Sequence, residues 1–315
     1  MKSLLSLSDL SSAELNSVLD VAGELKRRIK GRQEIEDLEG VIVGMLFEKP
    51  STRTRASFEV AALRLGGHAV YLASSELQLS RGEPVKDTAR ILGGYLDVIV
   101  GRVYSHHTLE QFARHSGIPV INALSDLEHP TQTISDLLTI REVKRQLEGI
   151  TIAFIGDGNN VCNSLLLGAS MVGANIVVAC PKGYHPNAEI LARSKRNAEG
   201  KGSSVTIVED PKEAARGADV LYTDVWVSMG EEAEKERRLR AFRGFQINSK
   251  LLELAAHDAV VMHCLPAHRG LEITDDVIEG KKSIVWEQGE NKLYGAAASL
   301  EFVLEKRAQR TRRLG

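Results

Sequence analysis

The strongest constraint in this 315-residue chain is a rhythm: short β-rich apolar runs alternate with amphipathic helical stretches along almost its whole length. A strand can return parallel to its predecessor only through a crossover long enough to hold a helix, so the alternation predicts parallel sheets covered by helices. The β-rich runs fall at 41–47, 69–72, 97–101 and 119–121, and then, beyond a helical stretch at 133–147, at 151–155, 175–179, 204–208, 220–223, 259–263 and 283–286. A last helical stretch, 296–307, follows the final run and could cover either half. The length is about twice a usual domain. The expected fold class is α/β, either as two doubly wound parallel-sheet domains, 1–132 and 148–292 with a linking helix at 133–147, or as one large α/β domain.

Charge removes several classes of partner. Lys and Arg number 40 against 42 Asp and Glu, a formal net charge of -2, which leaves no chain-wide basic field for nucleic acid or anionic lipid. Any anion site must be local. A hydrophobic content of 43% is far from that of disordered chains. No run reaches the ~18 to 20 apolar residues of a membrane span. Near the start, Ser11 with Glu14 reads as a helix-opening capping box rather than part of a secretory leader. Cys162, Cys180 and Cys264 are few, odd in number and widely spaced, so a reducing, cytoplasmic setting is expected. The charge run 231–243 reads as a solvated helix, because Glu231 with Lys235, Glu234 with Arg238 and Glu236 with Arg240 are favourable i,i+4 pairs.

Ligands of open α/β sheets bind beyond the carboxyl ends of strands, so the residues just after each run carry the functional information. After Phe47 the chain reads Glu48-Lys49-Pro50-Ser51-Thr52-Arg53-Thr54-Arg55 and enters a helix. Arginines there oppose the helix dipole by about 0.3–1 kcal/mol each, which points to a compensating anion. A Ser/Thr cap with exposed arginines is the alternative. Arg102 closes the third run and His129-Pro130-Thr131-Gln132 follows the fourth. A guanidinium and an imidazole at that edge could hold a phosphate and polarise a carbonyl. The second half opens Gly156-Asp157-Gly158-Asn159-Asn160-Val161-Cys162-Asn163, a dinucleotide loop that fails at its third glycine, while Cys180-Pro181 offers no acid to a ribose. Its asparagines suit a different polar ligand. His263-Cys264-Leu265-Pro266 is poor as a zinc fragment, and its Leu-Pro bond could be cis.

Ser51-Thr52-Arg53-Thr54-Arg55, His129-Pro130-Thr131-Gln132, 224–230 and His263-Cys264-Leu265-Pro266 together resemble the aspartate/ornithine carbamoyltransferase family, in its motif order and over nearly the whole chain. The sequence Asp224-Val225-Trp226-Val227-Ser228-Met229-Gly230 with His263-Cys264-Leu265-Pro266 looks like the ornithine branch. The resemblance implies carbamoyl transfer from carbamoyl phosphate to the δ-amine of L-ornithine, a step of arginine metabolism, with no metal or other cofactor. It implies a carbamoyl-phosphate domain joined by a C-terminal helix at about 293–315, an ornithine domain, an active site in the interdomain cleft and a homotrimer, with larger assemblies of trimers open. Ser51, Thr52, Arg53 and Thr54 would hold the phosphate, with Gln78 reaching in from a neighbouring subunit. Arg102, His129 and Gln132 would hold the carbamoyl end, with Cys264 and Leu265 near the carbamoyl group and the attacking amine. Asn163, Asp224, Ser228 and Met229 would grip ornithine. One position departs from the family pattern: Glu290-Asn291-Lys292 stands where E-N-R is usual, so Lys292 replaces an arginine on carbamoyl phosphate and lacks its planar fork. Other readings stay open: a putrescine-type amine acceptor, a nicotinamide dehydrogenase, and a non-catalytic phosphate- or amino-acid-binding protein.

Overall fold

The computed structural model describes residues 2–227 and 232–311, with side chains described to Leu304. Its parallel sheets arise where β-branched and aliphatic residues run continuously, because strands covered on both faces have no polar side. In the first sheet β1 (Ile42–Phe47), β2 (His68–Ala73), β3 (Val98–Arg102) and β4 (Val120–Leu124) lie in the order β2-β1-β3-β4, all pairs parallel. Around them run α1 (Ser12–Lys30), α2 (Thr52–Arg64), α3 (Val85–Gly93) and α4 (His106–His115). Ser11 and Glu14 form the expected capping box at the start of α1. Then α5 (Pro130–Lys144) leads to the second sheet, of β5 (Thr151–Ile155), β6 (Asn175–Ala179), β7 (Val205–Val208), β8 (Val220–Thr223) and β9 (Val260–His263), in the order β7-β6-β5-β8-β9. Its helices are α6 (Asn160–Met171), α7 (Ala188–Glu199), α8 (Pro211–Ala215), α9 (Lys235–Ala241), α10 (Ser249–Leu252) and α11 (Asp275–Ile278), and α12 (Val285–Thr311) is the last described element.

The chain forms two compact units, Met1–Leu138 with Asn291–Gly315, and Thr139–Glu290. Lys292 therefore belongs to the first. In that unit Leu46, Ile99, Val103, Leu109 and Phe112 build one core cluster. In the second, Ile155, Leu221, Val261, Phe242 and Ile247 build another.

Two expectations need correction. Residues 283–286 do not form a strand: Ser283 makes a single bridge to Val261, and Val285 already begins α12. The run Ile284-Val285-Trp286 is too short for periodicity to separate a strand from the first turn of a helix. The charge run is not wholly solvated either. Glu234, Lys235, Glu236 and Arg240 are exposed, but Arg238 is buried and ion-paired with Asp157. Glu234 is the residue before α9, so its spacing to Arg238 is not an intrahelical pairing. Among the described residues no helix is long and apolar enough to cross a membrane.

Candidate active site

Each sheet has one point where the strand order reverses, and ligands of such sheets bind outside the carboxyl ends there. In the first unit that point lies between β1 and β3. Phe47 stands in register with Arg102, and the N–H of Glu48 donates to the Arg102 carbonyl at 2.8 Å. The segment that opens α2 is thereby held beside Arg102. Ser51 caps α2 by accepting the Thr54 N–H on Oγ at 3.2 Å, and its own backbone is extended. Thr52 is exposed, Arg53 half-buried and Thr54 buried. The two arginines divide. Arg55 lies over the Tyr71 ring, 3.8 Å from its centroid, and pairs with Glu59 at 3.5 Å, so the protein itself accounts for its charge. The case for an anion at this terminus rests on Arg53 and the cap.

Arg102 ends β3 and is buried. Buried His129 precedes α5, on which Gln132 and Asp136 share a face one turn apart. The Gln132 Nε2 donates to Asp136 Oδ1 at 2.7 Å, and the Lys292 ammonium donates to Gln132 Oε1. Burial, then the charge of Lys292, then that of Arg102, hold the His129 imidazole well below its usual pKa. The ring is neutral at pH 7. The structure thus brings Arg102, His129, Gln132 and Lys292 into one electrostatic cluster. Gln78 sits apart in character: its side chain is exposed on the 3-10 turn Gln78–Arg81.

In the second unit the order reverses between β5 and β8. Asn159 caps α6, its Oδ1 accepting from Val161 N at 3.0 Å and Cys162 N at 3.1 Å. Its Nδ2 donates to Asp224 Oδ2 at 2.8 Å, and the Cys264 thiol donates to Asp224 Oδ1 at 2.9 Å. Both oxygens of this buried carboxylate are therefore aimed by the protein. Asn163 is buried and accepts the Asn187 N–H at 3.0 Å. Ser228 and Met229 lie outside the described residues.

After β9 the chain leaves the sheet through a cis Leu265-Pro266 bond, with Leu265 at φ 55°. A leucine in the left-handed region is uncommon and needs support. That support is its own N–H donating to His263 Nδ1 at 2.9 Å. The second ring nitrogen of His263 lies 3.0 Å from Glu272 Oε1, so this bonding assigns the proton to Nε2. Donor atoms of Asp224, His263 and Cys264 fall within 4.8 Å of one another. These donors are already committed to Asn159, Leu265 and Glu272 and to the bond between Asp224 and Cys264, so the trio is built as a hydrogen-bonded support.

The failed dinucleotide loop also finds its reason. A Cβ on Gly158 would sit 2.3 Å from Pro186 N, so that glycine admits a neighbouring segment of the chain rather than a pyrophosphate. Asp157 holds Arg238. Sequence reasoning misses this pair, because Asp157 reads only as part of the failed dinucleotide loop and Arg238 as one cation of a solvated charge run. The only signal was an acid set between two glycines at a strand end.

Two family descriptions match the chain: "Aspartate/ornithine carbamoyltransferase, carbamoyl-P binding domain" over residues 2–142, and "Aspartate/ornithine carbamoyltransferase, Asp/Orn binding domain" over residues 148–303. The ornithine carbamoyltransferase of Archaeoglobus fulgidus is 53% identical over 310 residues, covering 98% of this chain and 99% of that protein. That of Methanosarcina acetivorans is 52% identical over 297 residues, covering 94% and 97%. Among solved structures, ornithine carbamoyltransferase from Pyrococcus furiosus superposes with a TM-score of 0.93 at 47% identity, covering 96% of this chain and 97% of that one. Ornithine transcarbamoylase from Giardia lamblia gives a TM-score of 0.87 at 33% identity, covering 96% and 98%.

Proposed function

The chain belongs to the aspartate/ornithine carbamoyltransferase family, and from that premise we infer how its two half-sites serve transfer of the carbamoyl group of carbamoyl phosphate to the δ-amine of L-ornithine, giving L-citrulline and phosphate. The observation that carries this reading is a division of charge. The first unit gathers cations and a neutral imidazole at its switch point, and the second presents one fixed carboxylate at its own.

Ser51, Thr52, Arg53 and Thr54 take the phosphate on the first turn of α2, where open N–H groups and the dipole favour an anion. Arg102, His129, Gln132 and Lys292 take the carbamoyl end. A neutral His129 polarises the carbonyl as a hydrogen-bond donor without being a cation itself. The positive field of Arg102 and Lys292 stabilises the oxyanion that forms when the amine adds. Thr54 adds its hydroxyl to this set. Asp224, aimed by Asn159 and Cys264, takes the α-ammonium of ornithine, with Asn163, Ser228 and Met229 completing that grip. Cys264 and Leu265 lie near the carbamoyl group and the attacking nitrogen.

The δ-amine must be neutral to attack. With the lysine reference of ~10.4, about one molecule in a thousand is neutral near pH 7.4, a penalty of roughly 4 kcal/mol. A carboxylate against that nitrogen would favour the wrong protonation state, and so Asp224 belongs with the α-ammonium. The active assembly is a homotrimer in which the exposed Gln78 completes a neighbouring copy's phosphate site.

The test is citrulline formation by the purified chain with carbamoyl phosphate and a panel of amines. Turnover with L-ornithine, and little with putrescine, which lacks the α-carboxylate, or with 5-aminovalerate, which lacks the α-ammonium, is the expected result. Equal turnover of L-ornithine and 5-aminovalerate would sink the Asp224 assignment, and release of no carbamoyl product from any amine would sink the enzymatic reading.

A further inference from the structure

Two features of the sequence have no role in the reaction as derived so far: the acid of the broken dinucleotide loop and the buried arginine of the charge run. The structure joins them. The Arg238 guanidinium pairs with Asp157, and its Nε donates to the Trp226 carbonyl at 2.5 Å. Asp157 lies two residues before Asn159, and Trp226 lies two residues after Asp224. Asn159 in turn donates to Asp224 at 2.8 Å. The contacts therefore close a ring, running from Asp224 along the backbone to Trp226, through Arg238 to Asp157, along the backbone to Asn159, and back to Asp224.

We propose that Arg238 is a positioning residue for the amino-acid half of the reaction, a clamp that fixes the loop after β8 to the loop after β5 and thereby sets where the Asp224 carboxylate points. Three further observations support a fixed geometry. Arg238 is only 5% exposed, whereas the other charged residues of its run whose side chains are described are exposed. Its guanidinium lies 5.0 Å from the Tyr184 ring centroid and 5.7 Å from that of Phe242, and Phe242 stacks on Trp226 at 5.9 Å and 16°. Gly158, between Asp157 and Asn159, is pressed so closely on Pro186 that the loop cannot accept a side chain there. One planar fork serves an acid and a carbonyl at once, which a lysine ammonium on a flexible stem cannot reproduce in the same geometry.

The proposal rests on the reading that Asp224 binds the amino-acid substrate, so the experiment separates the two. Steady-state kinetics are measured for Arg238→Lys, Asp157→Asn and Asp224→Asn, varying ornithine and carbamoyl phosphate in turn, with thermal unfolding of each variant. Arg238→Lys is expected to raise the KM for ornithine by about tenfold to a hundredfold, the scale of a misplacement near 1 Å, while the KM for carbamoyl phosphate stays within about twofold. Asp157→Asn is expected to do the same, and it supplies the readout alone should Arg238→Lys not accumulate as folded protein. Asp224→Asn must raise the ornithine KM in either case; if it does not, the underlying reading fails. If Asp224→Asn does so while the two clamp variants leave the ornithine KM unchanged, or shift both KM values together as a merely structural lesion would, the clamp is overturned.

Discussion

Replacing Lys292 by methionine removes a charge while nearly preserving the length and shape of the side chain. Lys292 is 8% exposed, and its ammonium donates to Gln132, which passes the bond on to Asp136 at 2.7 Å. Hydrogen bonds from charged groups are worth about 1.5–3 kcal/mol. If the ammonium also meets the carbamoyl end of the substrate, its loss lowers kcat/KM for carbamoyl phosphate by about 12- to 160-fold, at 1.36 kcal/mol per factor of ten. A second effect has a sign fixed by the site. Lys292 contributes, after burial, to holding His129 below its usual pKa. Removing the cation raises that pKa, so protonation of His129 begins at higher pH. The active ring is neutral, and the acid limb of the rate profile should therefore move to higher pH in Lys292→Met. The assay is initial-rate citrulline formation from pH 5 to 9, with carbamoyl phosphate varied at each pH and ornithine saturating. An acid limb that stays in place together with unchanged carbamoyl-phosphate kinetics would falsify the cluster as described.

The remaining predictions follow from the same geometry. Under chemistry-limited conditions the rate should rise from pH 6 to 9 as the ornithine δ-amine loses its proton, and a flat profile over that range would contradict attack by the neutral amine. His129 also links folding to pH. Its folded pKa lies far below the ~6.5 of an unfolded histidine, so the unfolded chain binds the extra proton; stability is complete above ~6.5 and falls as pH drops below it. Between pH 7.5 and 5.5 this group should therefore lower the stability, a loss missing from the urea-unfolding curves of His129→Gln. Burial pushes the Cys180 thiol up to about 12 and that of Cys162 well above its usual value, while Cys264 is half-buried. Iodoacetamide at pH 8 should thus label Cys264 in the folded protein and leave the other two unmodified, as read by mass spectrometry. Finally, buried Glu128 accepts the Ser6 hydroxyl and the Leu7 N–H, the latter at 3.2 Å, tying the N-terminal segment to the residue before His129. Glu128→Leu should cost about 1–3 kcal/mol in chemical denaturation, and a change below 0.5 would mean the tether is idle.

How legible the molecule was in its sequence differs from element to element. The strands at 151–155, 175–179 and 220–223 were read to the residue, because each is a buried, β-branched or aromatic run bounded by turn residues. The failure at 283–286 has the same root as those successes. A short apolar run announces burial, and only its tertiary neighbours decide whether it is buried as strand or helix. Among the site residues, those just after strands could be found because parallel sheets gather ligands at that edge. Asp157 and Arg238 could not, since nothing local distinguishes a buried arginine from the exposed ones flanking it in a helix of alternating charge.

By itself, then, the sequence determined the architecture of two parallel sheets, the polar segments that follow their strands, and the motifs that place the chain in its family, because hydrophobic period and turn chemistry are local properties. The tertiary structure alone decided the strand orders, and with them the two reversal points at which Arg102 stands beside the start of α2 and Asp224 beside Asn159. It also decided the charge state of His129, set by burial and by a lysine 163 positions further along the chain. It turned one arginine of a solvated run inward to meet Asp157. Each of these is a relation between residues distant in sequence, fixed by how strands pair and what packs over them, and no local pattern encodes it.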